Sequence, residues 1–302
     1  MPESPLIFDR ALIRRRQRHA GELGAATFLL DRAADDLIER LGAVLRRFDI
    51  AADLGTPTDA VLKALARLGS IGTIVAVRMT DQDLQSAATN EKLVIADEEA
   101  LPFCDRSLDL VVSALALQFV NDLPGTLIQI RRALKPDGLF MAALIGGDTL
   151  TELRQAFAAA ESEIEGGASP RVAPFADVRE LGALLQRAGF ALPVVDVERV
   201  CVRYPSVFAL MHDLRRMGAT NALVERRRAP LRRATLMRMG EIYGERFADP
   251  DGRLRATFEI IWLSGWAPHP SQQQPLRPGS AQARLADALG TREISAGDKA
   301  GS

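Results

Sequence analysis

Two textures follow one another along the chain. From residue 8 to 47 the apolar positions return at helical spacing, as in Ala33, Leu37, Leu41 and Leu45, with Arg and Glu between them. That period predicts an N-terminal helical cap over 1–47. From residue 50 the apolar residues gather into short runs at 50–55, 71–77, 93–96, 108–113 and 139–144. The run at 108–113 lacks the polar alternation of a half-exposed strand and suits a parallel strand buried on both faces. Helical patterns separate several of the runs, at 61–68 and at 123–134. The second of these is predicted to end at Lys135-Pro136-Asp137-Gly138, where proline stops a helix and glycine accepts a positive φ.

Strands alternating with helices predict an α/β fold with a doubly wound, mostly parallel sheet, whose ligand site lies at the carboxyl ends of the strands. Farther on come a helix at 149–164, a Gly/Ser/Pro linker at 166–170, and a helix at 178–188 closed by Gly189. A strand at 193–204, helices inserted over about 205–248 and a last strand at 255–266 complete the pattern. Alternation in Phe258, Ile260 and Trp262 marks that strand as an antiparallel candidate. The expected organisation is therefore a cap over 1–47, a main domain over 48–267 with its core at 48–145, and a C-terminal tail over 268–302. The tail is rich in Pro, Gln, Ser and Gly and is expected to be flexible.

Composition narrows the function classes. The 302 residues are 47 % hydrophobic, enough for an ordinary core, and 38 basic against 39 acidic residues give a net charge of -1. No global field draws in nucleic acid or an anionic membrane. Cys104 and Cys201 lack CxxC spacing, and with His19, His212 and His269 they make no metal cluster, so a reducing compartment and no metal are expected. The apolar runs fall short of the roughly 20 residues that a spanning helix needs, and no apolar signal region opens the chain. A cytoplasmic protein is expected if the host is a bacterium. The basic stretch 10–19 superficially has the composition of a transit peptide, but a solvated helix face accounts for it as well. The arginines of 225–228 and 232–233 are read in the same way, ahead of an acidic partner or lipid headgroups.

The chemistry-bearing residues fall at the strand ends. Ala52-Asp53-Leu54-Gly55-Thr56-Pro57-Thr58-Asp59 lies where the first strand turns into the first helix and resembles the DLGCGTG loop of the class I S-adenosylmethionine-dependent methyltransferases. Glycines there let the backbone approach the cofactor without a Cβ in the way. Asp53, Gly55 and Thr56 are candidates to bind it, while Pro57 and Asp59 replace glycines of the pattern. At the end of the second strand, Arg78-Met79 stands where the family carries an acid for the ribose hydroxyls, and a guanidinium has no acceptor to offer them. Arg78 could attract a phosphate, although no GxGxxG fingerprint accompanies it, or lie at the surface paired with Asp81 or Asp83. Asp97 and Glu98 follow the third strand, where a carboxylate could accept from an adenine amine or simply shape a turn. Ala114 and Gln118 follow the fourth and would line the transfer site. Gln118 could orient an amide or a guanidinium but does not titrate, so it is no general base.

Further stretches carry a closer resemblance: Phe8-Asp9-Arg10, Val120-Asn121-Asp122-Leu123-Pro124, 146–154 with its Gly146-Gly147-Asp148-Thr149, Glu165-Gly166-Gly167 with Ser169-Pro170, 185–190, and Gly265-Trp266. In these the chain resembles the respiratory complex I assembly factor 5 family, which is similar to the malonyl-carrier-protein methyltransferases. The resemblance implies the class I fold, S-adenosylmethionine as cofactor, and a complex I subunit as protein partner, with hydroxylation of an arginine as the activity. It also implies peripheral association with the respiratory membrane, on the matrix side of the mitochondrial inner membrane in eukaryotic members. Asp148, Glu152 and Arg154 could face such a substrate, or cap and charge-balance the helix they open. No catalytic residue is singled out. Three functions are carried forward: an arginine-modifying assembly factor, an S-adenosylmethionine-dependent methyltransferase, and a non-catalytic scaffold with a degenerate cofactor site. A serine hydrolase is set aside for want of a GxSxG elbow.

Overall fold

A computed structural model of the chain describes residues 6–79, 91–175, 177–273 and 284–292. The chain divides into two compact units, Met1–Pro268 and His269–Ser302. The first opens with helices α1 (Arg10–Glu22) and α2 (Phe28–Gly42). Then come β1 (Phe48–Leu54), α3 (Ala60–Arg67), β2 (Ile71–Arg78), β3 (Glu91–Ile95), β4 (Leu108–Ala114), α4 (Leu123–Ala133) and β5 (Leu134–Ile145). The unit closes with α5 (Thr151–Glu165), α6 (Val178–Arg187), β6 (Ala191–Tyr204), α7 (Val207–Arg216), α8 (Arg233–Phe247) and β7 (Leu254–Trp266). In the second unit the described residues include the short helix α9 (Leu285–Leu289), and most of the stretch expected to be flexible lies outside the described residues.

The seven strands run in the order β3-β2-β1-β4-β5-β7-β6. Pairing is parallel from β3 through β5 and antiparallel on both sides of β7. The order reverses between β1 and β4, and that switch point opens the ligand crevice of a doubly wound sheet. Strand parity feeds both faces: on β4, Leu110 and Val112 join the apolar layer of α2 and α3, and Val111 joins that of α4 and α6. Leu37 and Leu65 anchor the first layer and Leu127 and Leu185 the second; all four are fully buried, each contributing about 2 kcal/mol. A third cluster, with Phe157, Leu210, Tyr243 and Phe258, ties α5, α7 and α8 to β6 and β7. Helix α1 takes no part in these three. Leu12 and Ile13 pack instead with Phe8, Ala222 and Leu223 in a small separate cluster. No helix among the described residues is long and apolar enough to cross a membrane.

Lys135-Pro136-Asp137-Gly138 departs from the turn expected of it. Helix α4 ends at Ala133, β5 begins at once, and the register jumps from Leu108↔Leu134 to Leu110↔Leu139. The four residues bulge out of the strand. Pro136 brings no amide that needs a partner, while the Asp137 amide donates to the Ala267 carbonyl at 3.0 Å and the Ala267 amide to that of Gly138 at 2.8 Å.

The linker after α5 is fixed by a buried carboxylate. Glu161 accepts from the Ser169 amide at 2.7 Å and the Ser169 hydroxyl at 2.8 Å, and it pairs with Arg171. Burial alone would push the carboxyl up, but the Ser169 amide, the Arg171 guanidinium and the Ser169 hydroxyl outweigh it and hold it below its ordinary value. That stabilisation is present above the ordinary glutamate value and lost as pH falls through the lower folded value. Glu161→Gln is expected to cost about 2–3 kcal/mol near neutrality and to flatten the acid limb of stability against pH, measured by urea melts from pH 7 to pH 3. An unchanged acid limb would show that Glu161 does not set it.

Candidate functional site

The first wall of the crevice is the turn that leaves β1. The Gly55 amide donates to the Val77 carbonyl at 2.9 Å, and its φ of +68° is one that glycine adopts without strain. The Thr56 hydroxyl donates to the Asp53 carboxylate and accepts the Ala114 amide at 3.2 Å. The Ser113 hydroxyl donates to the Leu54 carbonyl at 2.7 Å. The β1 turn is thus tied to the end of β4, and Asp53, Thr56 and Ala114 are fully buried.

Arg78 is not at the surface, and Asp81 and Asp83 lie outside the described residues. Its side chain turns back beneath the loop, 3 % exposed, and donates to the Asp53 carboxylate at 2.6 Å. It also donates to the carbonyls of Val77 at 3.0 Å, Asp53 at 3.2 Å and Thr58 at 3.3 Å. The physical reason is that Asp53 is fully buried, and a buried carboxylate needs a cation. Arg78 supplies it from within the chain.

The second wall is the loop after β3. The Asp97 carboxylate accepts the Glu99 amide at 2.9 Å and bends the chain so that three consecutive carboxylates gather. Their common partner is Arg10, the first residue of α1, which reaches Asp97 at 2.7 Å and Glu99 at 2.9 Å, pairs closely with Glu98, and lies 3.1 Å from the Met79 sulfur. Arg14 stands 3.7 Å from Asp97. Burial pushes the Glu98 carboxyl up from its ordinary value, and Arg10 only partly offsets it. Burial also disfavours the Arg10 charge, but Glu98, Asp97 and Glu99 together hold it more firmly protonated than usual.

Residues 7–10 are strapped down by the loop after β4. The Asn121 carboxamide oxygen accepts the Ile7 amide at 2.8 Å and the Phe8 amide at 2.7 Å, and Phe8 packs edge-on against Phe119 with ring centroids 5.7 Å apart. Gln118 donates to the Leu115 carbonyl at 2.7 Å, and its other amide atom, Oε1, is buried without a partner among the described residues.

The structure therefore brings together Asp53, Gly55, Thr56, Arg78, Met79, Asp97, Glu98 and Ala114, with Gln118 in the loop that follows β4. It keeps Asp148, Glu152 and Arg154 on the β5–α5 elbow. There Asp148 pairs with Arg199, and Arg154 donates to the Gly147 carbonyl at 3.1 Å. Glu152 accepts from the Thr257 amide at 3.1 Å. The helix cap expected of Asp148 falls instead on Leu150, at φ +54° and without a side-chain cap bond. Arg10 and Asn121 belong to the site although only their motifs stood out in the sequence. Nothing local in the chain says that residue 10 meets residues 97–99.

S-adenosylmethionine does not fit the crevice in this arrangement. The Glu98 carboxylate lies against the open face of Gly55, where even a Cβ would collide with it. Arg78 offers ribose hydroxyls no acceptor, and Arg10 fills the space between Met79 and Asp97. Among the described residues no group of three or more His, Cys, Asp or Glu is placed to hold a metal ion.

Comparison with known proteins agrees with the fold. Residues 52–142 match a family model described as a methyltransferase domain. The crystal structure of YcgJ from Bacillus subtilis superposes with a TM-score of 0.53 at 15 % identity, over 79 % of this chain and 99 % of its own length, and supports the fold alone. Over 287 residues the chain is 37 % identical to the mitochondrial arginine-hydroxylase NDUFAF5 of Danio rerio, covering 93 % of this chain and 89 % of that protein. The Homo sapiens protein of that name is 40 % identical over 93 % of this chain and 82 % of its own. A malonyl-[acyl-carrier protein] O-methyltransferase of Methylovorus sp. is 34 % identical over 89 % and 92 %. With matches of this extent spanning cap, sheet and inserted helices alike, the chain belongs to the NDUFAF5 arginine-hydroxylase family of the class I methyltransferase superfamily.

Proposed function

We propose that the protein receives an arginine side chain of a respiratory complex I subunit in this crevice and takes part in its hydroxylation during assembly of the complex. The observation that carries this reading is the convergence of Asp97, Glu98 and Glu99 on a guanidinium at the carboxyl ends of the strands. A guanidinium spreads five donors in one plane and can serve several carboxylates at once, which the point charge of a lysine does less well. The name of the relatives, arginine-hydroxylase, supports the same substrate class.

Hydroxylation replaces a C–H bond with C–O–H, a two-electron oxidation that needs an oxygen-donating oxidant from outside the protein, a peroxide or dioxygen with a two-electron reductant, whose other oxygen leaves as water. The side chains of the crevice do not supply that oxidant. Their share is to hold the guanidinium, fix its plane and keep water from competing for the carboxylates. S-adenosylmethionine enters no step of this reading, because Glu98 lies against Gly55, Arg10 occupies the three carboxylates and Arg78 offers ribose hydroxyls no acceptor.

Mass spectrometry of complex I subunits tests the proposal, comparing host cells that carry the gene, lack it, or carry Glu98→Gln. The expected result is one arginine bearing an added oxygen atom in the first cells, unmodified in the second, and modified to a small fraction in the third. If complex I matures with the same arginines unmodified in all three, the proposal fails. Assembly that depends on the gene with no modified residue would instead favour a scaffold.

A further inference from the structure

Arg10 has the features of a guest in the crevice more than those of a structural pin. Its side chain is only 10 % exposed, and its guanidinium nitrogens reach Asp97, Glu98 and Glu99, yet its Nε is buried with no partner among the described residues. A buried guanidinium that serves only to hold a fold usually has its donors satisfied, as Arg78 shows with one carboxylate and three carbonyls. Among the described residues the three carboxylates outnumber the cations paired with them, Arg10 at contact distance and Arg14 at 3.7 Å.

The segment that carries Arg10 is attached apart from the main core. Phe8, Leu12 and Ile13 pack with Ala222 and Leu223 in the small cluster that joins none of the three sheet-covering ones. Phe8 also packs edge-on against Phe119, and the backbone pairs with 222–224, the Asp9 amide donating to the Ala222 carbonyl at 2.9 Å and the Val224 amide to that of Ile7 at 2.9 Å; the remaining contacts are polar. Asn121 takes the amides of Ile7 and Phe8, Asp9 caps α1 through the Leu12 amide at 2.9 Å, and Arg16 donates to the Thr220 carbonyl at 2.7 Å. Withdrawing the first turn of α1 would expose one small apolar cluster and leave the sheet and its layers intact.

We propose that Arg10 is an internal occupant of the guanidinium site, and that a substrate arginine enters by displacing it as residues 7–10 lift away from Asn121. This rests on the reading of the crevice as an arginine site and adds its regulation. The free protein is self-occupied, and only an arginine presented with further binding energy, such as one within a docked protein segment, gains entry. The apparent affinity for a substrate arginine is then reduced by the fraction of molecules whose site is open.

The test compares wild type with Arg10→Met, which keeps the length of the side chain and removes its donors. Two probes are used: methylguanidinium at about millimolar concentration, since a single small ion gains only a few kcal/mol, and an arginine-containing peptide with its Arg-to-Gln counterpart as control. In Arg10→Met, methylguanidinium is expected to raise the melting temperature, and the arginine peptide to bind at least about tenfold more tightly than to wild type. Wild type should show no shift with methylguanidinium. If neither probe distinguishes the two proteins, Arg10 is a structural pin and the proposal is overturned. Should Arg10→Met fail to fold, Asn121→Ala keeps Arg10 and releases the strap. It is expected to bind the peptide more tightly than wild type, and unchanged affinity overturns the proposal. These readouts do not depend on catalysis: tighter binding with no oxygen added in cells would sink the hydroxylation reading alone, and an added oxygen with unchanged binding would sink this one alone.

Discussion

Arg78→Met is expected to lower stability by about 3–5 kcal/mol, because it leaves a fully buried carboxylate without its cation. For a chain of this size that corresponds to a melting temperature lower by roughly 5–8 °C. Asp53 cannot turn to solvent, since it is fully buried beneath the β1 turn and held there by the Thr56 hydroxyl. Three carbonyl oxygens, of Asp53, Val77 and Thr58, lose a donor at the same time. Much of the cost is the stranded charge and not the lost attraction, so the two positions must be coupled. Asp53→Ala alone should be similarly harmful, and the double variant Asp53→Ala/Arg78→Met should lose markedly less than the sum of the two. Urea unfolding of the four proteins measures this directly. Additive losses would mean that the pair does not act as a unit.

Titration with S-adenosylhomocysteine is expected to give no saturable heat and no thermal shift, with any dissociation constant weaker than about 1 mM, or 4 kcal/mol. The cofactor would have to move the Glu98 side chain off Gly55, draw Arg10 out of three carboxylates, and find an acceptor for its ribose beside Arg78, which has none. Each of these works against binding. Micromolar binding that is lost in Asp97→Ala would show that the loops open for the nucleoside, and would restore the methyl-transfer function. Arg10→Ala is the informative control. A gain of binding there identifies Arg10 as the main obstacle, and none identifies the Glu98 and Arg78 arrangement.

Much of this was legible before any fold was drawn. The short apolar runs marked β1, β2, β4 and β5, because a parallel strand covered on both faces has few polar positions in its middle. The alternation in Phe258, Ile260 and Trp262 marked β7, since one residue in two faces each side. Gly189 marked the end of α6. The bulge at Lys135–Gly138 escaped, because proline and glycine also write a turn, and only pairing with β4 and the backbone of Ala267 made a bulge the better use of them.

In the crevice the division is sharper. The chain by itself determined the residue types at each strand end: Asp53 and Gly55 after β1, an arginine after β2, and three acids after β3. Those types already argued that the cofactor loop departs from its pattern. The sequence could not say where the charges go, because a side chain's partner is set by which loops the sheet order makes neighbours. Only the placing of β2 beside β1 turns Arg78 inward onto Asp53, and only the packing of α1 brings Arg10 to Asp97, Glu98 and Glu99, some ninety residues away along the chain. Local propensity falls silent at such distances. Once folding removes water from around these acids, the nearest cations settle against them, and that tertiary decision sets Arg78 on Asp53 and Arg10 on the three acids after β3.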